Sequence, residues 1–405
     1  MNATAAETDS AADAINKLGL DLHRQFAKPG ENLCLSPFSI QNALAMTFAG
    51  ADGATRDEMA RVLHFPHGEG IHGSFAALNR ALEDVTAKTV KLAAQAKKYG
   101  GASEPITLSV ANRLFGQSGY EFRDPFTALV KDFYGAPMEM LNFRSAAEPA
   151  RQHINEWVEK QTHQRIRDLL PPKSINAITR LVLANAVYLK APWAEEFNEH
   201  ATTPEPFHIR GEAAKAVPTM RQTRAYGFAQ HKGYRAVSVP YVGNEVHFLI
   251  LVPDEVNGLD AVEKELSATT LAEMAKMPPQ LVSLHLPKFR MEPPSIELGD
   301  ALVALGMKSA FDQPPGSANF DRMAPRTAGD YLYISKVIHK TSLALDEKGT
   351  EAAAATAVIM AAGSAFRAQP QPIEVKVDRP FIFAIQHAPS GACLFLGRVN
   401  DPTAK

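Results

Sequence analysis

The order of periodic segments in this chain predicts an α+β fold: helical spacing dominates the first hundred residues and strand-like runs dominate the second half. Two long apolar runs, at 106–115 and 179–189, read as strands of a central sheet, with a helical segment near 146–162 between them. At 405 residues the chain can bury a large core, and its length fits either one large domain or two smaller ones. No internal repeat and no obvious linker divides it.

The elements follow in order. From Ala11 to Ala27 the apolar positions Ile15, Leu18, Leu22 and Phe26 fall at helical spacing, and Pro29-Gly30 ends the run. Residues 32–35 read as a short strand. Ser36-Pro37 opens a second helix, with a serine cap and proline at its first position, and Ile40, Leu44 and Phe48 share one face before Gly50 stops it. A third helix is expected over 55–63 and a long, broken one over 76–98. The later half is predicted to hold strands at 234–241, 246–252, 281–286 and 331–345, with short helices near 258–277 and 296–306. The Ala/Pro/Gln-rich tract 361–372 lies between two strand-like runs and reads as a surface loop.

Composition excludes several classes. Hydrophobic residues make up 45% and charged residues 21%, with a formal net charge of −2, which is the balance of a globular protein without a polyanionic partner. No nucleic acid is expected as a partner. The only cysteines, Cys34 and Cys393, cannot form a disulfide framework, and both sit in apolar runs where buried free thiols are expected. No metal site and no cofactor is predicted. The first residues carry acids and no apolar run, so they do not read as a secretory signal, and no stretch approaches a membrane span.

Four motifs have plainer readings. Gly68-Glu69-Gly70-Ile71-His72-Gly73 matches a dinucleotide fingerprint in letters only, since no buried strand precedes it. His64, His67 and His72 lie around that Gly-rich connection without cysteine or carboxylate support, and are expected to be surface loop histidines rather than metal ligands. Gly116-Gln117-Ser118-Gly119 lacks the final glycine of a nucleophile elbow, so no hydrolase signal survives. Lys88, Lys91, Lys97 and Lys98 could attract a sulfated polysaccharide, but a solvated helix face is the favoured reading.

The most informative segment is 346–357, which is small-residue-rich inside otherwise ordinary globular sequence. Read as a strand, Thr350, Ala352, Ala354, Thr356, Val358 and Met360 share one face, and Glu351, Ala353, Ala355, Ala357, Ile359 and Ala361 the other. The first face grows from small to apolar, so an exposed loop could enter a sheet as an extra strand, small residues first. A helix is the competing reading for the resting loop, because alanine is the best helix former and Glu351 suits a first turn.

The residues then name a family. Ser36-Pro37-Phe38-Ser39-Ile40, Asn185-Ala186-Val187-Tyr188-Leu189-Lys190 with Trp193 and Phe197, His339-Lys340 ahead of 346–353, Asp378-Arg379-Pro380-Phe381-Ile382-Phe383, and Phe395-Leu396-Gly397-Arg398-Val399 resemble serpin motifs in serpin order over nearly the whole chain. The resemblance implies a single domain over 1–405, three β-sheets, eight or nine helices and an exposed reactive-centre loop at about 347–372. It further implies a protein that is not an enzyme but a suicide substrate. A target serine protease attacks the loop, forms an acyl-enzyme, and is trapped as the cleaved loop inserts into the large sheet. The hinge would be Glu347, Gly349, Thr350, Glu351, Ala352, Ala353, Ala354, Ala355 and Thr356, with no proline or bulky charge from Ala352 to Ala357. Ser36, Ser39, Asn185 and His339 match the sheet-opening region at the centre of the sheet, with Trp193 near its top. Serine capping and core packing of histidine are the plainer alternatives.

The family spacing of sixteen residues from Glu347 reaches Gly363, making Gly363-Ser364 the first choice of scissile bond and an elastase- or subtilisin-like protease the favoured target. Phe366, Arg367 and Ala368 offer an alternative bond suited to chymotrypsin- or trypsin-like enzymes. The competing function is a non-inhibitory serpin acting as a binding or carrier protein. A monomer is expected. The resemblance implies secretion, while the N-terminus as it stands leaves the cytoplasm open.

Overall fold

The structure is a computed structural model that describes residues 5–98, 104–209, 213–327, 329–351 and 371–404, and the side chains from residue 8 onward. Nine α-helices are present among the described residues: α1 (Ala5–Phe26), α2 (Pro37–Gly50), α3 (Gly53–Val62), α4 (Gly70–Lys98), α5 (Asp124–Tyr134), α6 (Phe143–Gln161), α7 (Leu259–Glu265), α8 (Ala268–Met274) and α9 (Gly299–Ala304). The predicted break in the fourth helix does not occur, and α4 runs unbroken for 29 residues. The Ser36 cap forms as the sequence requires: its side chain accepts a bond from the Ser39 N–H, and Pro37 fills the first turn. Every residue of α2 is buried, as suits an apolar helix running through the centre of the molecule.

Three sheets carry the strands. The largest uses β1 (Leu33–Leu35), β5 (Thr203–Phe207), β6 (Lys215–His231), β7 (Tyr234–Pro240), β8 (Val246–Pro253), β9 (Pro279–Pro287), β15 (Ile373–Lys376), β16 (Phe381–His387) and β17 (Ala392–Val399). A two-stranded ribbon joins β11 (Ile296–Glu297) to β12 (Ile338–His339). The six-stranded sheet runs in the order β10 (Phe289–Met291), β13 (Leu343–Asp346), β14 (Gly349–Thr350), β4 (Leu181–Pro192), β2 (Thr107–Gln117) and β3 (Glu139–Leu141). The main core lies between α1, α2 and the sheets. A second apolar cluster, with Phe115, Phe143, Ile154, Val158 and Ala186, packs α6 onto the outer face of the six-stranded sheet.

Two further expectations are corrected, and two elements are added. The run 331–345 is not one strand, because 331–337 forms no ladder and pairing begins only at Ile338. β6, 17 residues long, and α5 are elements that the sequence pattern did not suggest. His72 is no surface residue: it sits in the first turn of α4, buried, with Nδ1 2.6 Å from the Tyr134 hydroxyl. Burial pushes its pKa down to about 4, so it is a neutral core imidazole. Cys34 and Cys393 are buried free thiols. No helix among the described residues is long and apolar enough to cross a membrane.

Candidate functional site: a hinge wedged into the six-stranded sheet

The site begins where β13 ends. The chain turns tightly at Glu347-Lys348, with the Lys348 N–H donating to the Asp346 carboxylate (2.9 Å), and returns as β14. β14 pairs on one side with β13, Thr350 opposite Leu345, and on the other with β4, Thr350 opposite Ala191. A two-residue wedge therefore holds β4 and β13 apart at one end of the sheet. Gly349 is required there on two counts. Its φ is +145°, and a Cβ would lie 2.1 Å from the Ala191 carbonyl oxygen.

Thr350 points into the core, as the alternation predicts for its face, and is 1% exposed. Its hydroxyl lies 2.5 Å from that of Tyr241, which stacks on Trp193 with ring centroids 4.6 Å apart. Trp193 in turn holds the turn by two bonds: its indole N–H donates to the Asp346 carbonyl and its backbone N–H to the Lys348 carbonyl, both 2.9 Å. The Glu347 carboxylate accepts from Lys288 Nζ and from the Thr202 hydroxyl, each at 2.7 Å. Burial alone would raise its pKa, but these two donors outweigh burial and hold the carboxyl below the ordinary glutamate value. Asp346 goes the other way, raised by burial.

At the centre of the sheet, Ser36, Ser39, Asn185 and His339 come together. The Ser36 N–H donates to His339 Nε2 (3.0 Å), so the proton sits on Nδ1 and points at Asn185 Oδ1 (3.3 Å). Asn185 Nδ2 donates to the Ser39 carbonyl and to Asn112 Oδ1, both at 2.6 Å, and the Ser36 hydroxyl donates to the Leu394 carbonyl (2.7 Å). Burial alone drives the His339 pKa down to about 3. Beside this network β4 and the chain before β13 touch directly, through a parallel bridge between Ala186 and Lys340. Beyond it they part again: Leu181 and Leu183 face Leu332, Ile334 and Val337 across an apolar cavity of about 30 Å³ floored by Leu44 and Thr47 of α2.

Of the hinge residues expected from sequence, Glu347, Gly349, Thr350 and Glu351 are placed as described, while 352–356 lie outside the described residues, as do Gly363, Ser364, Phe366, Arg367 and Ala368. Tyr241, Thr202 and Lys288 were missed. They come from segments more than fifty residues from the hinge, and no local pattern marks them.

The overall fold is shared with known proteins. The family model described as "Serpin (serine protease inhibitor)" matches residues 13–402. The chain belongs to the serpin family. Leukocyte elastase inhibitor from Equus caballus is 37% identical over 97% of this chain and 100% of its own length. An uncharacterized serpin-like protein of Thermococcus kodakarensis is 36% identical over 96% and 85%. Among solved structures, uncleaved ovalbumin superposes with a TM-score of 0.80 at 28% identity, covering 97% of this chain and 100% of that one. Cleaved Serpin 42Da does so at 0.79 and 27%, covering 98% and 99%. As a serpin the chain is an inhibitor of serine proteases and not an enzyme.

Proposed function

We infer that this serpin acts as a suicide substrate whose cleaved loop enters the six-stranded sheet between β4 and β13, starting from the wedge already seated there. The observation that carries the reading is the register of that wedge. Gly349 opposes Pro192 and Asp346, and Thr350 opposes Ala191 and Leu345. Continued step by step, Ala355 would fall between Ala186 and Lys340, the pair that now bridges the gap. Both flanking strands give the same position, so the wedge is in phase with the strand to come. Thr356 would then sit between Asn185 and His339, and Val358 and Met360, on the inward face, would reach the apolar cavity beside Leu183 and Leu181.

In this mechanism the protease serine attacks the loop carbonyl, the new amine leaves with the C-terminal segment, and an ester links the protease to the inserting strand. Each strand hydrogen bond nets about 0.5–1.5 kcal/mol, so a dozen residues supply on the order of 10 kcal/mol to distort the protease's oxyanion hole before the ester hydrolyses. The uncleaved fold is therefore held kinetically. Ser36, Ser39, Asn185 and His339 serve as the region that opens, exchanging bonds to one another for bonds to the incoming Thr356.

Gly363-Ser364 remains the proposed scissile bond and an elastase- or subtilisin-like enzyme the proposed target. Small residues suit a shallow pocket, and the mammalian relatives named as leukocyte elastase inhibitors support the same choice. Cleavage after Arg367 would leave four more residues to accommodate, roughly 13 Å of extended chain, and would slacken the pull on the protease. Mixing the protein with elastase-, subtilisin-, chymotrypsin- and trypsin-type proteases tests the reading. An SDS-stable complex releasing a peptide that begins at Ser364 supports it, whereas clean cleavage by all four without complex returns the protein to the binding or carrier reading.

A further inference from the structure

We propose that Glu351 is a stop on the hinge: its carboxylate, held by Ser342 and Arg165, occupies the outer-face position between β4 and β13 that the next outward residue of the loop must take. The proposal rests on the insertion reading above and adds what arrests the uncleaved loop after two residues.

The backbone supplies the first observation. The Glu351 N–H still donates to the Ala344 carbonyl (2.9 Å), the last bond of the wedge among the described residues. Its φ is +49°, in the left-handed region that a side-chain-bearing residue enters at a cost, and not that of a strand residue. Entry of a further residue requires Glu351 to return to an extended conformation.

The side chain supplies the second. Although a carboxylate, it is only 3% exposed, with the Ser342 hydroxyl donating to Oε1 (3.2 Å) and Arg165 Nε 3.3 Å from Oε2. By the register of β13 and β4, Ser342 and Tyr188 are the pair that residue 353 would separate, and both lie on the outer face. The Glu351 carboxylate, two residues early, already fills that space. It must leave before Ala353 can enter.

The third observation concerns what holds it. Arg165 belongs to the connection after α6, the helix that covers the outer face, and it follows His163 and Gln164, whose φ values are +52° and +64°. Burial raises the Glu351 pKa while Arg165 opposes the rise, so the arginine favours the charged carboxylate in a place that disfavours it. The hinge is thereby tied to the cover of the sheet it has to open.

The test uses the intact protein alone, so that a failure of protease trapping does not enter it. Glu351→Ala, Arg165→Ala, Arg165→Lys and the double alanine variant are incubated below their melting temperature. Conversion to a loop-inserted form of unchanged mass is followed by loss of the unfolding transition on urea-gradient gels. E351A and R165A are expected to convert about twofold to fivefold faster than the parent, the range open to a partly exposed ion pair. R165K should stay near the parent rate, and the double variant should match E351A, because both changes remove one contact. Parent-like conversion of R165A, or multiplying effects in the double variant, would overturn the proposal. So would the absence of conversion in every variant, since there would then be nothing to stop.

Discussion

Replacing Thr350 by arginine puts a charge at a position that is 1% exposed, 2.5 Å from the Tyr241 hydroxyl and next to the Trp193–Tyr241 stack. Glu347, the carboxylate of the neighbouring turn, is already committed to Lys288 and Thr202. An unpaired guanidinium buried at such a site costs several kcal/mol. If the arginine expels the wedge from the intact protein and about 3–4 kcal/mol of the cost is felt as the strand re-enters, insertion slows by roughly a hundredfold to a thousandfold. Deacylation then outruns insertion, and the protein is cut as an ordinary substrate. The assay is a titration of an elastase-type protease with T350R, with T350S as a control that keeps the hydroxyl. The stoichiometry should rise steeply and the SDS-stable complex should vanish for T350R only. Parent-like complex formation by T350R would refute the reasoning, because it would mean that residue 350 need not enter the core.

Two other expectations follow from the same geometry. Gly349→Ala brings a Cβ against the Ala191 carbonyl at a positive φ, and should lower the stability of the intact protein by about 2–3 kcal/mol or expel the wedge, read as a fall in its melting midpoint. A parent-like midpoint would show that the turn is not held as described. His339 titrates at about 3 when folded and near 6.5 when unfolded, so the unfolded state takes up its proton first. The stability it contributes is complete above pH 6.5 and is lost as the pH falls from 6.5 towards 3. His339→Gln should flatten that part of the urea-midpoint profile, leaving the similar slopes of His72 and His387; an unchanged profile would remove His339 from the account.

How far the sequence carried depends on whether the signal was local. The Ser36-Pro37 cap, the 3.6-residue period of α1 and the apolar runs of β2 and β4 are local, and they emerged within three residues of their observed bounds, except that α1 starts six residues before Ala11. The inward direction of Thr350 was legible too, because alternation fixes the face once a strand is assumed. β6 was missed because Arg221, Gln222, Thr223 and Arg224 interrupt its apolar positions, and pairing with β9 supplies what propensity does not. The run 331–345 misled for the opposite reason. Its residues are suited to a strand, but over 331–337 the partner position is an open cavity. His72 looked like a loop residue because the glycines around it read as a connection, whereas Gly70 starts α4. The contacts that define the hinge, from Tyr241, Lys288, Thr202 and Arg165, are made only by tertiary folding.

The central claim is that the cut loop becomes a strand between β4 and β13, and the melting temperature before and after loop cleavage tests it most directly. On the order of 10 kcal/mol of new strand bonding should raise the midpoint by at least on the order of 10 °C once the loop is cut near Gly363. A cleaved protein that melts at or below the temperature of the intact one would contradict the account.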